Sequence, residues 1–207
     1  YINYNGYGDS TMSRLVVNEI QAKVGSEIDF KGTTVKGMPG HVLQVKSAAF
    51  TDTMSLSVDT RTDVTNLSLD ITPSSTSSKI LIMATVCFGS TDANVYGSGY
   101  LMRDSTDIGV GTSASGSRQN ISFPLSMSGA GNEAFKVYQH SISFFDSPNT
   151  TSQVTYKVQV RHDVNGTMYI NRSGSDANAD YGHRGISTLT IMEVAGWVIL
   201  VQMQIKL

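Results

Sequence analysis

The strongest indication of the fold is the stretch Val154-Thr-Tyr-Lys-Val-Gln-Val-Arg161. Apolar and polar residues alternate in it, which is the pattern of a β-strand with one buried face. Before it, Asp146-Ser-Pro-Asn149 predicts a turn, because Pro148 fixes φ and the Asp and Asn side chains bond to nearby backbone. After it, Asn165-Gly166 predicts a hairpin turn. A further strand is predicted by Arg184-Gly-Ile-Ser-Thr-Leu-Thr-Ile-Met-Glu-Val194. The last third of the chain therefore favours a sheet surface for binding or assembly over catalysis.

Strand signals become regular from His41 onwards. The predicted strands lie near residues 41–49, 53–59, 66–71, 79–88, 96–103, 120–127, 134–145, 152–162, 167–171 and 186–194. The run from Ile80 to Phe88 is apolar, which predicts a central strand covered on both faces, by a second sheet and by another subunit. No helix is predicted after residue 40. The spacing of strands and turns predicts an all-β fold, an antiparallel β-sandwich of jelly-roll type.

The chain divides into four predicted segments. Residues 1–11 are a leader or a remnant, because Met12 is the expected natural start. Residues 12–40 form an arm or stalk, whose isolated apolar residues have no second layer to cover them. Residues 41–196 form the head domain, and residues 197–207 form an apolar tail. The apolar run from Trp197 to Val201 is far shorter than the ~20 residues of a membrane span, so we expect an extra strand or an assembly contact and no membrane insertion.

Composition restricts the possible partners. Only 15% of the 207 residues are charged, against ~25% in an ordinary soluble domain, and this fits an oligomer with much buried subunit surface. The net charge is −2 and no basic cluster is present, so nucleic acid is not an expected partner. Cys87 is the only cysteine, which excludes an intramolecular disulfide and a cysteine metal cluster. We expect Cys87 to be a small buried hydrophobic residue.

The sequence carries no constellation of catalytic or metal-binding residues. It has no P-loop, HExxH, CxxC or GxSxG motif, and its four histidines lack ligand spacing. Oxygen side chains alternate in Asp176-Ala-Asn-Ala-Asp-Tyr-Gly182 as in a calcium loop, but the closing Glu is missing and Tyr181 stands where Gly is needed. Ser173, Ser175, Asp180 and His183 have the residue types of a hydrolase triad without a strained turn or oxyanion donors. We therefore predict no enzyme activity, no cofactor and no metal.

Two long polar loops are predicted, at residues 90–95 and 172–184, and a third loop, rich in Gly and Ser, lies between them at residues 105–119. Binding residues of β-sandwiches tend to lie in such loops, where a rigid scaffold positions them. The predicted contact residues come from the first and the last of these loops and from the position next to the first. They are Asp92, Asn94, Tyr96, Asp176, Asn178, Asp180, Tyr181, His183 and Arg184. Tyr and Arg are expected to be the main anchors.

Several motifs recur in a familiar order along residues 12 to about 196. They are Met12-Ser-Arg-Leu-Val-Val-Asn-Glu-Ile20, Gly40-His-Val-Leu-Gln-Val45, Leu69-Asp-Ile-Thr-Pro-Ser-Ser-Thr-Ser-Ser-Lys-Ile-Leu-Ile82, Ser143-Phe-Phe-Asp-Ser-Pro-Asn-Thr-Thr151, Val154-Thr-Tyr-Lys-Val-Gln-Val160, Tyr169-Ile-Asn-Arg-Ser173 and the strand from Arg184 to Val194. Together they resemble the virion structural and tail-fibre-like proteins of marine bacteriophages. The chain departs from that group at residues 1–11 and 197–207.

The resemblance implies a non-enzymatic, homotrimeric, β-rich protein displayed on a phage particle. Its expected partners are copies of itself, other virion proteins and a host-surface glycan or protein. The leading hypothesis is a tail fibre or receptor-binding tip. The alternatives are a capsid decoration or tail-assembly protein without a receptor, and a carbohydrate-binding module. The last of these usually offers exposed aromatic residues for sugars, yet the only tryptophan is Trp197 in the tail.

Overall fold

A computed structural model describes residues 40–56, 59–92, 94–112, 115–128, 133–163 and 167–196. The chain divides into two units, Tyr1–Lys36 and Gly37–Leu207, and all described residues lie in the second. The predicted leader and tail, and the predicted arm apart from Gly40, lie outside the described residues. In the described ranges, no helix has the length and hydropathy needed to cross a membrane.

The described residues form β-strands and one short 3-10 helix, Glu133–Phe135. The strands are β1 (Val42–Phe50), β2 (Met54–Leu56), β3 (Thr62–Ile71), β4 (Lys79–Ser90), β5 (Asn94–Val95), β6 (Gly97–Arg103), β7 (Thr106–Ile108), β8 (Phe123–Pro124), β9 (Met127–Ser128), β10 (Tyr138–Asp146), β11 (Val154–His162), β12 (Met168–Ile170) and β13 (Ser187–Val194). All their pairings are antiparallel. The prediction of an all-β antiparallel sandwich is therefore confirmed.

One sheet, which we call sheet A, is built around β4. Strand β10 pairs with one edge of β4 along nine residues. The other edge of β4 pairs first with β13 and then, towards Ser90, with β12. Strand β1 lies outside β13, and β2 lies outside β12. The long apolar strand is thus central, as the run from Ile80 to Phe88 predicts.

The second sheet, sheet B, has the order β3-β11-β6-β7, and β8 also pairs with β6. A separate two-stranded ladder joins β5 and β9. Sheets A and B meet at the β1 and β3 edges, where Lys46 Nζ donates to the Asp70 carbonyl at 2.6 Å. Inward side chains of both sheets form one apolar core, which includes Ile82, Phe88 and Val158. The alternation along β11 places its valines in this core, as its sequence predicts.

Two buried carboxylates interrupt this core and are fully partnered. Glu193 lies on the inner face of β13 and accepts hydrogen bonds from Gln44 Nε2 at 2.6 Å and from the Ser74 amide and hydroxyl at 2.7 Å each. Asp146 ends β10 and accepts from Tyr156 Oη at 2.6 Å and from Arg103 Nη1. These bonds supply the partners that a buried charge requires.

The outward faces of the two sheets differ sharply in chemistry. On sheet B, ion pairs join Lys157 to Asp63 and Arg161 to Asp59, each at 2.9 Å. The outward face of sheet A, formed by β10, β4, β13 and β1, carries hydroxyl-bearing and apolar residues and a single charged residue, Lys79. We call this surface the outer face of sheet A. Its side chains are Gln139, Ser141, Ser143, Phe145, Lys79, Leu81, Met83, Thr85, Cys87, Thr188, Thr190, Met192, Val194, Val42, Val45, Ser47 and Ala49.

Several predicted boundaries were wrong. The strand predicted at 53–59 is confined to β2 among its described residues, and the one predicted at 120–127 consists of the two short strands β8 and β9. The predicted strand 134–145 begins in the 3-10 helix, and β7 lies within the predicted loop 105–119. Strand β3 begins at Thr62, four residues before the predicted start. The earlier part was not predicted because Asn66 takes a left-handed φ of 62°, which breaks the alternation of inward and outward residues along the strand.

The predicted hairpin after β11 was also wrong. Strand β11 belongs to sheet B and β12 belongs to sheet A, so the two strands do not pair with each other. Asn165 and Gly166 themselves lie outside the described residues. The connection passes from one sheet to the other, as does the turn at residues 147–153 between β10 and β11.

Candidate functional site

The two loops predicted to bind lie at the same end of the sandwich, which we call the loop end. The first loop, residues 91–96, follows the last residue of β4, and the second, residues 171–186, connects β12 to β13. They meet at Gly174, where an added Cβ would collide with the carbonyl of Ser90 and the amide of Thr91. Gly174 therefore permits a backbone contact that brings the two predicted loops together.

A buried polar network holds both ends of the second loop. Asn171 adopts a φ of 63°, a conformation that Asn tolerates better than most residues. Its Nδ2 donates to the Phe50 carbonyl at 2.7 Å and to the Asp52 carbonyl at 2.9 Å. Ser187 Oγ donates to Asn171 Oδ1 at 2.7 Å and accepts from the Cys87 amide at 3.0 Å. Both ends of the second loop are therefore anchored to the same part of sheet A.

Arg172 supports the loop from inside. Its guanidinium lies 3.5 Å from the ring centre of Tyr169, a cation–π arrangement. Its Nη1 donates to the carbonyls of Ser173 and Gly174 at 3.0 and 3.2 Å. Asp176 accepts from Arg184 Nη2 at 2.8 Å and lies 3.9 Å from Arg172 Nη1. Asp176 is itself exposed, but its carboxylate is paired with Arg184 and therefore orients that residue.

An aromatic pair forms the outer part of the loop end. Tyr181 is 54% exposed, and its ring meets Phe135 edge-on at 5.1 Å between centroids. The 3-10 helix that carries Phe135 is itself bound to the loop, because the Ser175 amide donates to the Ala134 carbonyl at 2.7 Å. Tyr181 is thus both exposed and held on one side. The predicted contact residues Asn178, Asp180, His183 and Arg184 are also exposed in this loop.

The first loop presents fewer of its predicted residues. Tyr96 is 55% exposed, and its carbonyl accepts from the Asp163 amide at 2.9 Å. Asn94 is exposed at the start of β5. Asp92 is different, because its amide donates to Ser90 Oγ at 3.1 Å and its Oδ2 is buried with no hydrogen-bonding partner among the described residues. Asp92 therefore belongs to the inner wall of the loop end.

A buried histidine lies beneath the loop end, and its burial was not predicted from the sequence. His162 ends β11 fully buried, and neither ring nitrogen has a hydrogen-bonding partner in the described part of the chain. Burial lowers the pKa of His162, while the carboxylates of Asp163, Asp92 and Asp59 act in the opposite direction. Its position on the inward row of β11, in register with the valines, is the signal that could have predicted this burial.

The structure gives no geometric support for the calcium loop or the hydrolase triad considered from the sequence. Asp176 of the calcium-like stretch is paired with Arg184 and Arg172. No group of three His, Cys, Asp or Glu residues suited to a metal ion lies within the described ranges. The Ser173 hydroxyl is buried and makes no hydrogen bond within the ranges that the structure describes, so it is not joined to His183 or Asp180 as a nucleophile would be. Cys87 is a buried free thiol, as predicted, and burial raises its pKa.

Comparison with known proteins shows neither a family nor a shared fold for this chain. No known family matches the sequence, and a search of curated proteins found no significant match. Among solved structures, one similar chain comes from the infectious bursal disease virus Gx strain, at 9% identity and a TM-score of 0.38, covering 73% of this chain and 37% of that chain. Another is a mutant VP2 protein of infectious bursal disease virus, at 8% identity and a TM-score of 0.38, covering 83% of this chain and 41% of that chain. This chain therefore spans about two fifths of their length, and both scores are too low to show a shared fold.

Proposed function

We propose that this chain is a non-enzymatic structural protein of a virus particle, most specifically a bacteriophage tail fibre or receptor-binding tip. The proposal is carried by the loop end, where exposed Tyr181 and Arg184 are held on a loop fixed by the buried Asn171 network. The resemblance of the sequence motifs to marine phage virion proteins supports the choice of particle. The expected location is the surface or tail of the virion.

The rigidity of the loop end favours binding. An exposed loop that becomes ordered only on contact loses conformational entropy at that moment, whereas a pre-ordered loop has already lost it during folding. Arg172 and Asp176 contribute this order through bonds within the loop. We assign these two residues a positioning role and assign contact to Tyr181, Arg184 and Tyr96. Asn94, Asn178, Asp180 and His183 would complete the polar rim.

The chemistry of the loop end suits a host-surface glycan or protein. Tyr181 offers one face of an aromatic ring and a hydroxyl, the combination that packs on a sugar ring or fills a protein pocket. Arg184 adds donors for a carboxylate or hydroxyl group. Contacts of this size are weak singly, so we propose that a homotrimer engages several receptors together and gains avidity. Other virion proteins would hold that trimer on the particle.

A binding assay on whole cells tests this proposal. Fluorescently labelled full-length protein is incubated with a panel of marine bacterial isolates, and bound fluorescence is measured. We expect binding to a subset of isolates, reduced at least tenfold by Tyr181→Ala combined with Arg184→Ala. The matched control is Thr151→Ala combined with Gln153→Ala, because these exposed residues lie at the opposite end of the sandwich.

Two results would contradict the receptor role. One is equal binding by wild type and the Tyr181/Arg184 variant, and the other is binding to none of the isolates. In the second case, immunogold labelling of phage particles separates the alternatives. Label on particles without cell binding would favour a capsid decoration or tail-assembly protein.

A further inference from the structure

We infer that the outer face of sheet A is the surface through which copies of this chain associate. The inference deepens the proposed function and rests on it for the choice of partner, a second copy of the chain. The surface lies on β10, β4, β13 and β1, apart from the receptor-contact residues of the loop end. Its role is therefore tested by a measurement that does not involve the host.

Apolar side chains cross the whole width of this face. The register aligns Phe145 of β10, Leu81 of β4, Met192 of β13 and Val45 of β1 in one row. Phe145 is 55% exposed and Val45 is 54% exposed. A monomeric protein seldom exposes a contiguous apolar surface of this kind, and such surfaces usually mark an interaction site.

Four of the six hydroxyl groups on the face form hydrogen bonds with each other. The next row contains Met83 and a hydrogen bond between Ser47 and Thr190 at 3.0 Å, and the row beyond it contains one between Thr85 and Ser141 at 2.9 Å. Because these groups are partnered within the face, covering them leaves few orphaned donors and therefore costs little free energy. The face is thus suited to burial in a way that an ion-paired sheet surface is not.

The charges of the molecule favour a copy of the same face as the partner. Lys79 is the only charged residue on the outer face, and it lies at the margin next to the end of β13. The opposite surface of the sandwich carries the ion pairs of Lys157 and Arg161, whose desolvation would be costly against an apolar partner. A second outer face presents apolar rows in both of its halves, and its one charged residue, Lys79, lies at the margin. Two sheets can pack in this way at ~10 Å with their strands nearly aligned.

The size of the face is sufficient for a specific contact. Four strands at ~4.8 Å spacing and up to eight residues at ~3.3 Å give a surface of roughly 19 by 25 Å. Two copies would bury roughly 1,000 Å² in total, which meets the ~1,000 Å² expected of a biological interface. In a trimer, each outer face would meet two neighbours, one through its β10 and β4 half and one through its β13 and β1 half, and the three contacts together would bury roughly 1,400 Å².

Light scattering of the purified full-length chain tests the inference. We expect wild type at micromolar concentration to have a mass of at least twice the 22.3 kDa of a single chain. Phe145→Glu and Val45→Glu should each reduce that mass to a single chain, because a buried unpaired carboxylate opposes association. The control is Ser68→Glu, an exposed position on the outward face of sheet B, which should leave the oligomer intact.

Methionine oxidation provides a second readout on the same proteins. Met83 and Met192 project from the outer face, so peroxide should oxidise them at least fivefold more slowly in wild type than in the Phe145→Glu monomer. A monomeric wild type would overturn the inference, as would an oligomer that persists in both charged variants or equal oxidation rates. Loss of cell binding in the Tyr181/Arg184 variant with an intact oligomer would separate the loop end from this surface.

Discussion

The stability of this fold depends on single residues whose polar groups are buried in it. Glu193 is the clearest case, because the Gln44 amide and the Ser74 amide and hydroxyl all donate to its carboxylate. Burial raises the pKa of this group, and the hydrogen bonds outweigh burial, so the pKa of Glu193 lies below its ordinary value. Its charged form is therefore the one that the folded state stabilises.

This shift predicts a pH-dependent contribution to stability. Because the pKa of Glu193 is lower in the folded state, the unfolded chain binds the proton at a higher pH than the folded chain does. The stabilisation by the charged carboxylate is therefore present above ~pH 4.3 and is lost as the pH falls through the lower pKa of the folded state. We expect Glu193→Gln to reduce the free energy of unfolding by about 1–3 kcal/mol at pH 7, and by much less at pH 3. Urea unfolding at both pH values measures this difference.

The matched control is Asp180→Asn, which changes a carboxylate that is exposed in the second loop. It should alter the free energy of unfolding by no more than ~0.5 kcal/mol. A Glu193→Gln penalty of the same size at pH 3 and pH 7 would show that the ionised carboxylate is not the stabilising form.

Residue types alone were sufficient to predict some of the exposed residues of the loop end. Tyr181, Arg184 and Tyr96 were predicted as contacts and are exposed together on one end of the sandwich. Asp92 and Asp176 have the same chemistry in sequence, yet one has a buried oxygen and the other pairs with Arg184. Local sequence does not distinguish a carboxylate that is free to contact a partner from one that is buried or holds another side chain in place. The groups around each carboxylate are set by the fold and not by its neighbours in sequence.

At the scale of elements, glycines set how closely the strands approach. Gly99 lies in β6 opposite the short strand β8, and an added Cβ would fall within the ring of Phe123. Phe123 is itself buried in the core, so its ring cannot easily move away. The pairing of β6 with β8 therefore depends on the absence of a side chain at this position.

Replacing Gly99 by Ala should therefore weaken the fold. We expect a loss of about 1–3 kcal/mol in the free energy of unfolding, the range for overpacking a filled core. Gly111→Ala is the control, because a Cβ there meets no atom within 4 Å, and it should change stability by less than ~1 kcal/mol. Partial recovery in Gly99→Ala combined with Phe123→Leu would identify the ring as the cause, and equal effects of the two alanines would exclude it.

Sequence pattern predicted most of the long strands better than the shortest ones, although it misplaced the starts of β3 and β10 by four residues. Strands β4, β11 and β13 have apolar periodicity over many residues and were placed within two residues of their observed ends. Strands β5, β7, β8 and β9 have two or three residues each, so they show no period, and neighbouring strands hold them in place. The Asn165-Gly166 signal predicted a hairpin wrongly, because a local turn motif does not reveal that β11 and β12 lie in different sheets.

At the scale of the whole molecule, the two outward faces divide the surface into a charged side and an apolar side. The apolar run of β4 predicted coverage on both faces, and sheet B covers its inner face. On the other face Met83 remains 37% exposed in the single chain. If a second copy covers that face, association and folding are linked, because the exposed apolar surface is removed from water only in the assembled state.

This linkage predicts that thermal stability depends on protein concentration. Raising the concentration from about 2 to about 200 μM should stabilise the associated wild type by mass action, and its Tm should rise by about 3–7 °C for a chain of this size. The Tm of Phe145→Glu should stay constant over the same range, because a monomer has no association step. Ser68→Glu should follow the wild type, since it adds the same charge to the opposite face. Calorimetric scans at the two concentrations measure these shifts, and a wild-type Tm that does not change with concentration would show that the outer face of sheet A does not couple association to folding.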